Sequence, residues 1–148
     1  MKNAIYYFSK ANKDTNKEYA KNIAFAISNG SHIPAYPIEE HTILSDINIL
    51  FIGCDVAGGG KTSGPIRRVL KPLTSNDVKL AVVFSVIKGG DASALAEIKS
   101  LLEPKGIKVC DEEFVCKGAS AFSNKGCPTE QDVQKAREFG ATILSKYK

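Results

Sequence analysis

Segments typical of buried strands alternate with segments typical of helices along the whole chain. Strands are predicted at Asn3–Phe8, Ile33–Ile38, Ile47–Cys54, Val78–Val86 and Ile107–Cys116. The third segment is almost wholly apolar, as expected for a strand that is covered on both faces, whereas Pro34 and Pro37 place the second segment at a sheet edge. This alternation predicts an α/β fold, with a parallel sheet and helices on both of its faces.

The helices are predicted from apolar periodicity and capping residues. They cover Thr15–Ser28, Pro65–Leu70, Ala92–Glu103 and a last segment that Thr129 caps. Thr15 and Glu18 have the spacing of a capping box, and Gly30 is expected to end the first helix. Two apolar faces follow the helical period: Tyr19, Ala20, Ile23, Ala24 and Ile27 in the first helix, and Val133, Ala136, Phe139, Ile143 and Leu144 in the last.

Length, apolar content and charge limit the function classes. A chain of 148 residues with 43% apolar residues suits a single domain, 1–148, with one core. No apolar run reaches the roughly 20 residues of a membrane span, and the first residues lack a signal-peptide pattern, so a cytoplasmic protein without a membrane partner is expected. The net charge is +4, but the lysines are dispersed, which argues against nucleic-acid binding.

Cysteine and histidine spacing gives no sign of a metal site or of a nucleophile paired with a base. The four cysteines form no Cys-x-x-Cys pair, whereas structural zinc sites usually contain a close ligand pair. Cys54 and Cys110 are expected to pack as small apolar residues. Cys116 and Cys127 flank a loop and are expected to be exposed, with a redox pair as an open alternative. His32 and His41 are expected to be surface residues.

Three loops follow predicted strands and are expected to meet at the carboxyl edge of the sheet. They are Ser9–Asp14, Asp55–Gly64 and Ile87–Asp91. The first leads directly into a helix N-terminus, where backbone N–H groups and the helix dipole favour an anion such as phosphate. The second contains Gly-Lys-Thr at positions 60–62, as a nucleotide-binding P-loop does, but Asp55 occupies the position of that motif's first glycine. Hydrolysis of a nucleoside triphosphate is therefore not predicted.

The chain resembles the flavodoxin family over essentially its full length. The stretches that carry the resemblance are 5–9 (Ile-Tyr-Tyr-Phe-Ser), 51–60 (Phe-Ile-Gly-Cys-Asp-Val-Ala-Gly-Gly-Gly) and 105–109 (Lys-Gly-Ile-Lys-Val). Stretches 114–118 and 125–132 resemble a bacterial subgroup of flavodoxin-like proteins. The resemblance implies a three-layer α/β fold with a five-stranded parallel sheet in the order 2-1-3-4-5, helices on both faces and an FMN site at the carboxyl end of the sheet.

The resemblance also implies which residues bind FMN. The phosphate is expected on Ser9, Asn12 and Thr15, with Lys10 and Ala11 in the same loop. The flavin ring is expected between two further sets: Asp55, Val56, Ala57, Gly58 and Gly59 from the second loop, and Val86, Ile87, Gly89 and Gly90 from the third.

Several positions depart from the pattern of the family. Ala11 stands where a hydroxyl residue is usual, Asn12 takes the place of the glycine, and the phosphate loop is one residue longer. The second and third loops lack the aromatic residue that commonly stacks on the flavin. The chain is basic, whereas electron-carrying flavodoxins tend to be acidic.

Three functional interpretations therefore remain open at this stage. The first is an FMN-binding electron-transfer protein that acts on a redox protein partner and is not itself an enzyme; its oligomeric state is left open. The second is a flavodoxin-fold protein that has lost FMN and serves as a binding or regulatory module. The third, an NAD(P)H-dependent flavin reductase, has less support because no second nucleotide motif is present.

Overall fold

Parallel strands form a single sheet in the computed structural model, which describes residues 1–9, 18–56, 62–88, 93–119 and 126–147. Within those ranges the strands are β1 (Lys2–Phe8), β2 (Ala35–Pro37), β3 (Ile47–Val56), β4 (Val78–Ile87), β5 (Lys108–Val109) and β6 (Phe114–Lys117). Their order is β2-β1-β3-β4-β5, and β6 also pairs with β4. The predicted order 2-1-3-4-5 is confirmed, with β2 at an edge.

Helices cover both faces of this sheet. They are α1 (Tyr19–Ser31), α2 (Gly64–Leu70), α3 (Leu95–Leu102) and α4 (Glu130–Lys146), and α3 continues into a 3-10 turn at Glu103–Lys105. Helices α2 and α3 contribute to one buried cluster, and α1 and α4 contribute to the other. None of the described helices has the length and apolarity that crossing a membrane requires.

The core is built on the pair of central strands, β3 and β4. Leu50 and Ile52 face the cluster under α2 and α3, whereas Ile49 and Phe51 face the cluster under α1 and α4. Each of these four side chains is at most 1% exposed, and full burial of such a side chain contributes about 1.5–3 kcal/mol. The almost wholly apolar sequence of β3 is thus explained by burial on both sides.

The predicted strand 107–116 is divided in two, which corrects the sequence interpretation. β5 pairs with Leu80 and Ala81, and β6 pairs with the segment of β4 from Phe84 to Ile87. The acidic residues 111–113 interrupt the apolar pattern between the two strands. Asp111 instead forms an ion pair with Lys99 at 2.5 Å.

Helix α1 begins and ends later than predicted. Glu18 precedes the helix with an extended backbone (φ −102°, ψ 91°) and its side chain makes no capping hydrogen bond. The predicted capping box of Thr15 and Glu18 is therefore wrong for Glu18, while Thr15 lies outside the described residues. At the other end, the helix continues through Gly30 to Ser31, and His32 adopts the left-handed conformation that ends it.

Gly30 lies inside the helix because α1 and α4 are in close contact there. A Cβ atom at Gly30 would lie 1.9 Å from the carbonyl oxygen of Arg137, and one at Gly140 would lie 2.6 Å from the carbonyl oxygen of Ile27. Each glycine therefore lets the backbone of the other helix approach. Gly30, which predicted the end of the first helix, is instead the residue at which α1 contacts α4.

The other helix predictions agree with the structure to within a few residues. Thr129 and Asp132 form a reciprocal capping box at the start of α4. Ser63 caps α2, with Pro65 in its first turn. Helix α3 begins at Leu95 instead of Ala92, and Gly106 ends the 3-10 turn that follows it with a φ of 80°.

The cysteines are all thiols, and burial separates them differently from the prediction. Cys54 and Cys110 are buried, as predicted. Cys116 is also buried, at 6% exposure, so its predicted exposure is wrong: β6 turns this side chain into the core under α1 and α4. Cys127 is partly exposed. His32 and His41 are both exposed, as expected.

Replacing Gly30 by alanine tests the contact between α1 and α4. We expect Gly30→Ala to lower the free energy of unfolding by about 1–3 kcal/mol, the usual cost of overpacking, although alanine favours a helix by about 1 kcal/mol. Urea denaturation followed by circular dichroism measures the change. Gly64→Ala is the control, because nothing lies within 4 Å of the added Cβ atom. A Gly30→Ala protein as stable as the control would contradict the close contact.

Candidate ligand site at the carboxyl edge of the sheet

The strands β3 and β4 end level with one another, and β1 ends beside them, two residues before the end of β3. Phe8 pairs with Cys54, Cys54 pairs with Ser85, and Val56 pairs with Ile87. The chain passes from β1 to β2 on one side and continues from β3 to β4 on the other, so the strand order reverses between β1 and β3. Ligands of open α/β sheets bind at such a switch point. Ser9 follows β1 at this point, and Asp55 is the penultimate residue of β3.

Asp55 is the centre of the polar contacts at this edge. Its carboxylate accepts a hydrogen bond from the hydroxyl of Ser9 (3.4 Å) and another from the backbone N–H of Ala20 (3.2 Å). The ammonium group of Lys88, the first residue after β4, lies 3.6 Å from the same carboxylate. The Asp55 side chain is only 10% exposed. One carboxylate therefore connects the ends of three strands with the first turn of α1.

The contact with Ala20 caps α1 from a distance. The first N–H groups of any helix lack intrahelical acceptors and carry the positive end of the helix dipole. The first turn of α1 contains no acidic residue, and the neighbouring Glu18 does not cap it. Asp55, 35 residues further along the chain, supplies both the acceptor and the negative charge.

The described part of the structure contains five of the residues predicted to bind the cofactor. Ser9 and Asp55 are in direct contact. Val56 and Val86 are fully buried in opposite clusters, and Ile87 is 5% exposed. These three residues can therefore meet a ligand mainly through their main chain. Nine predicted residues lie outside the described residues: Lys10, Ala11, Asn12, Thr15, Ala57, Gly58, Gly59, Gly89 and Gly90.

Glu97 of α3 holds the segment that follows the second loop. Its carboxylate accepts from the N–H of Thr62 at 2.6 Å and lies 3.5 Å from the guanidinium group of Arg67, which also donates to the Thr62 carbonyl. Burial alone would raise the pKa of Glu97, but the hydrogen bonds from Thr62 and Arg67 and the charge of Arg67 outweigh it and lower that pKa. The Thr62 hydroxyl is buried and finds no partner among the described residues.

Ser85 has a structural role in this region. It lies within β4, is fully buried, and its hydroxyl accepts from the N–H of Ala94 at 3.2 Å, just before α3. The pairing of β4 with β3 continues past Ser85 to Ile87, one residue beyond the predicted end of this strand at Val86. The Ser85 hydroxyl holds α3 against the sheet.

Sequence reasoning missed the partners of these carboxylates. Lys88 was assigned only to a loop, although it follows β4 directly and Asp55 lies near the end of the neighbouring strand. An acid and a base at the ends of adjacent parallel strands are the signal that predicts this pair. No comparable signal links Glu97 to Thr62, because that contact depends on how α3 packs on the sheet.

The described donors suit an anion, but they are already in use. The hydroxyl of Ser9 and the N-terminus of α1 are groups that bind phosphate readily. Both already bond to the carboxylate of Asp55, and two negative groups on the same donors repel each other. The phosphate of FMN fits this part of the site only in competition with Asp55.

The described residues form no metal centre, and burial makes two of their thiols less reactive. No group of three or more His, Cys, Asp and Glu side chains there is arranged to hold a metal ion. Burial raises the pKa of Cys54 to about 11 and that of Cys116 to about 12. A thiol with a raised pKa forms little thiolate at neutral pH, so neither group is activated for redox exchange.

The contact between Glu97 and Thr62 predicts a dependence of stability on pH. A carboxyl group whose pKa is lower in the folded state stabilises the fold above its ordinary pKa of 4.5, and this contribution is lost as the pH falls through the lowered value. The free energy of unfolding of Glu97→Gln should therefore be lower than that of the parent at neutral pH, and the gap should narrow below pH 4.5. Chemical denaturation over this range measures the gap, and a constant gap would contradict the assignment.

The sequence of the chain was compared with protein-family models and with the sequences of known proteins. No protein-family model matches the chain. An uncharacterized protein of Methanocaldococcus jannaschii is 28% identical over an alignment of 156 residues, which covers 97% of this chain and 99% of the relative. A likeness over nearly the whole of both chains indicates that the two share one architecture.

Solved structures resemble the chain over nearly its full length. Flavodoxin 1 from Bacillus cereus superposes with a TM-score of 0.69 at 18% identity and covers 98% of both chains. Flavodoxin 2 from the same organism gives 0.65 at 14% identity, covering 98% of this chain and 99% of that one. An NAD(P)H:quinone oxidoreductase from Methanothermobacter marburgensis gives 0.64 at 10%, covering 97% and 100%. Together with the strand order and the helices on both faces, these likenesses show that the chain has the flavodoxin-like fold.

Proposed function

We propose that this protein binds a flavin at the carboxyl edge of its sheet and serves as an electron carrier. The observation that supports the proposal is that the carboxyl ends of β1, β3 and β4 lie side by side at the switch point of the sheet. FMN is the flavin that the sequence resemblance implies, with its phosphate near Ser9, Asn12 and Thr15. The flavin would supply the redox chemistry, and the protein would bind it, orient it and tune it.

The charge of the chain bears on its partner. With a net charge of +4, the protein favours docking on a redox protein that presents an acidic surface, because complementary charge speeds association. The proposal therefore pairs this carrier with an acidic redox partner.

A second candidate function is supported by the contacts of Asp55. Its carboxylate takes the donors that the phosphate would use, and the second and third loops contain no aromatic residue. Both features favour a flavodoxin-fold protein that has lost its cofactor and acts as a binding or regulatory module.

Flavin binding separates the two candidates. We expect protein purified with FMN to be yellow, with absorption near about 450 nm from the flavin itself. Added FMN should also raise the melting temperature, because a ligand that binds only the folded state stabilises it. Absorption spectroscopy and thermal unfolding measure these effects. A colourless protein whose melting temperature responds neither to FMN nor to riboflavin would exclude the first candidate.

The placement of the phosphate has a test of its own. The double variant Ser9→Ala, Thr15→Ala removes both proposed hydroxyl donors and should weaken FMN binding at least tenfold in a fluorescence titration, equivalent to about 1.4 kcal/mol. The matched control is Thr142→Ala, Ser145→Ala, which removes two exposed hydroxyls from α4. Unchanged FMN affinity in the first variant would show that the phosphate lies elsewhere.

A further inference from the structure

The contacts of Asp55 affect which flavin the proposed site would accept, a question that the general proposal of flavin binding leaves open. Asp55 is nine-tenths buried and lies at the switch point, between the end of β1 and the end of β4. The resemblance assigns Asp55 to the flavin ring, but its contact with Ser9 puts its carboxylate beside the proposed phosphate position, at the polar tail of the flavin. An anionic side chain at this point acts on the charge of that tail.

The positive groups around Asp55 are already directed at its carboxylate. Among the described residues, they include the ammonium group of Lys88 at 3.6 Å and the N-terminal turn of α1, whose Ala20 N–H lies 3.2 Å away. The hydroxyl of Ser9 also donates to it. Because the charge of Asp55 offsets that of Lys88, this pair presents little net positive charge to an incoming phosphate.

A neutral tail meets a different environment. A carboxylate accepts hydrogen bonds from hydroxyl groups, and such charge-assisted bonds are stronger than neutral ones. Riboflavin ends in a hydroxyl group at the position where FMN carries its phosphate. The same carboxylate that repels a phosphate therefore suits the hydroxyl of an unphosphorylated flavin.

We propose that Asp55 is a specificity-determining residue that makes this site favour a flavin without a phosphate over FMN. The proposal rests on the flavin binding proposed above. It predicts that the parent protein binds riboflavin at least as tightly as FMN. It also predicts that removal of the charge at Asp55 reverses this preference.

Asp55→Asn is the informative variant, because asparagine keeps an oxygen that can accept from Ala20 and loses the negative charge. Asp77→Asn is the matched control. Asp77 also accepts from one backbone N–H and one hydroxyl, both of Thr74, at 2.9 and 3.1 Å. It lies before β4 and thus at the opposite edge of the sheet.

Both flavins are titrated into the parent and the two variants, and the ratio of the dissociation constants is compared. In Asp55→Asn we expect the ratio to move at least tenfold toward FMN, while Asp77→Asn keeps the parent ratio. Partial unfolding of a variant weakens the binding of both flavins by the same factor. The ratio of their dissociation constants is therefore unaffected by it. A parent that binds FMN tenfold more tightly than riboflavin, or an Asp55→Asn ratio equal to that of the parent, would overturn the proposal.

A second probe does not depend on flavin binding. Inorganic phosphate, added at an ionic strength matched with sodium chloride, should raise the melting temperature of Asp55→Asn more than those of the parent and Asp77→Asn. If no protein binds either flavin, the proposed function fails, and the phosphate response alone decides whether Asp55 excludes a phosphate. Equal responses in the three proteins would then overturn the inference about Asp55 as well.

Discussion

One carboxylate joins the parts of this molecule that a ligand would have to meet. Asp55 binds the hydroxyl that follows β1, the N-terminus of α1 and the ammonium group that follows β4. A buried carboxylate is stable only when such partners surround it. The arrangement therefore fixes the start of α1 against the sheet, and it also fixes the electrostatic character of the carboxyl edge.

The general fold was predictable because it depends on patterns that are local in sequence. The apolar runs at Ile47 and Val78 predict strands that are buried on both faces, and the two prolines near β2 predict its edge position. The capping residues Ser63 and Thr129 lie next to the helices that they cap, so a sequence pattern can reveal them. The alternation of these elements then leaves few topologies for a parallel sheet.

The sequence-based predictions are wrong where contacts between distant parts of the chain determine the local structure. The N-terminus of helix α1 bonds to Asp55, whereas the neighbouring Glu18 makes no capping hydrogen bond, and no spacing rule connects residues as far apart as Ala20 and Asp55. Gly30 resembles a helix end but is a contact with α4. Cys116 is buried because of the face that β6 presents to the core, which depends on its register with β4.

In the candidate site, too, the sequence predicts the positions of the strand ends but not the contacts between their side chains. Topology alone brings Ser9 and Asp55 to one edge of the sheet, so their proximity was predictable. The consequence of that proximity was not, because it depends on the distances from one carboxylate to Ala20 and Lys88. Asp55, which the flavodoxin resemblance assigns to the cofactor, already accepts hydrogen bonds from Ser9 and from the first turn of α1 in the structure.

The most direct test of the central contact is amide hydrogen exchange at Ala20, measured by NMR on the parent and on Asp55→Ala. As the second residue of α1, Ala20 has no acceptor within the helix, and its N–H bonds instead to the carboxylate of Asp55. Asn22, whose N–H bonds to the carbonyl of Glu18, serves as the internal reference. We expect the Ala20 N–H to be protected from exchange in the parent protein and to lose that protection, relative to the N–H of Asn22, in Asp55→Ala. Equally fast exchange of Ala20 in both proteins would contradict it.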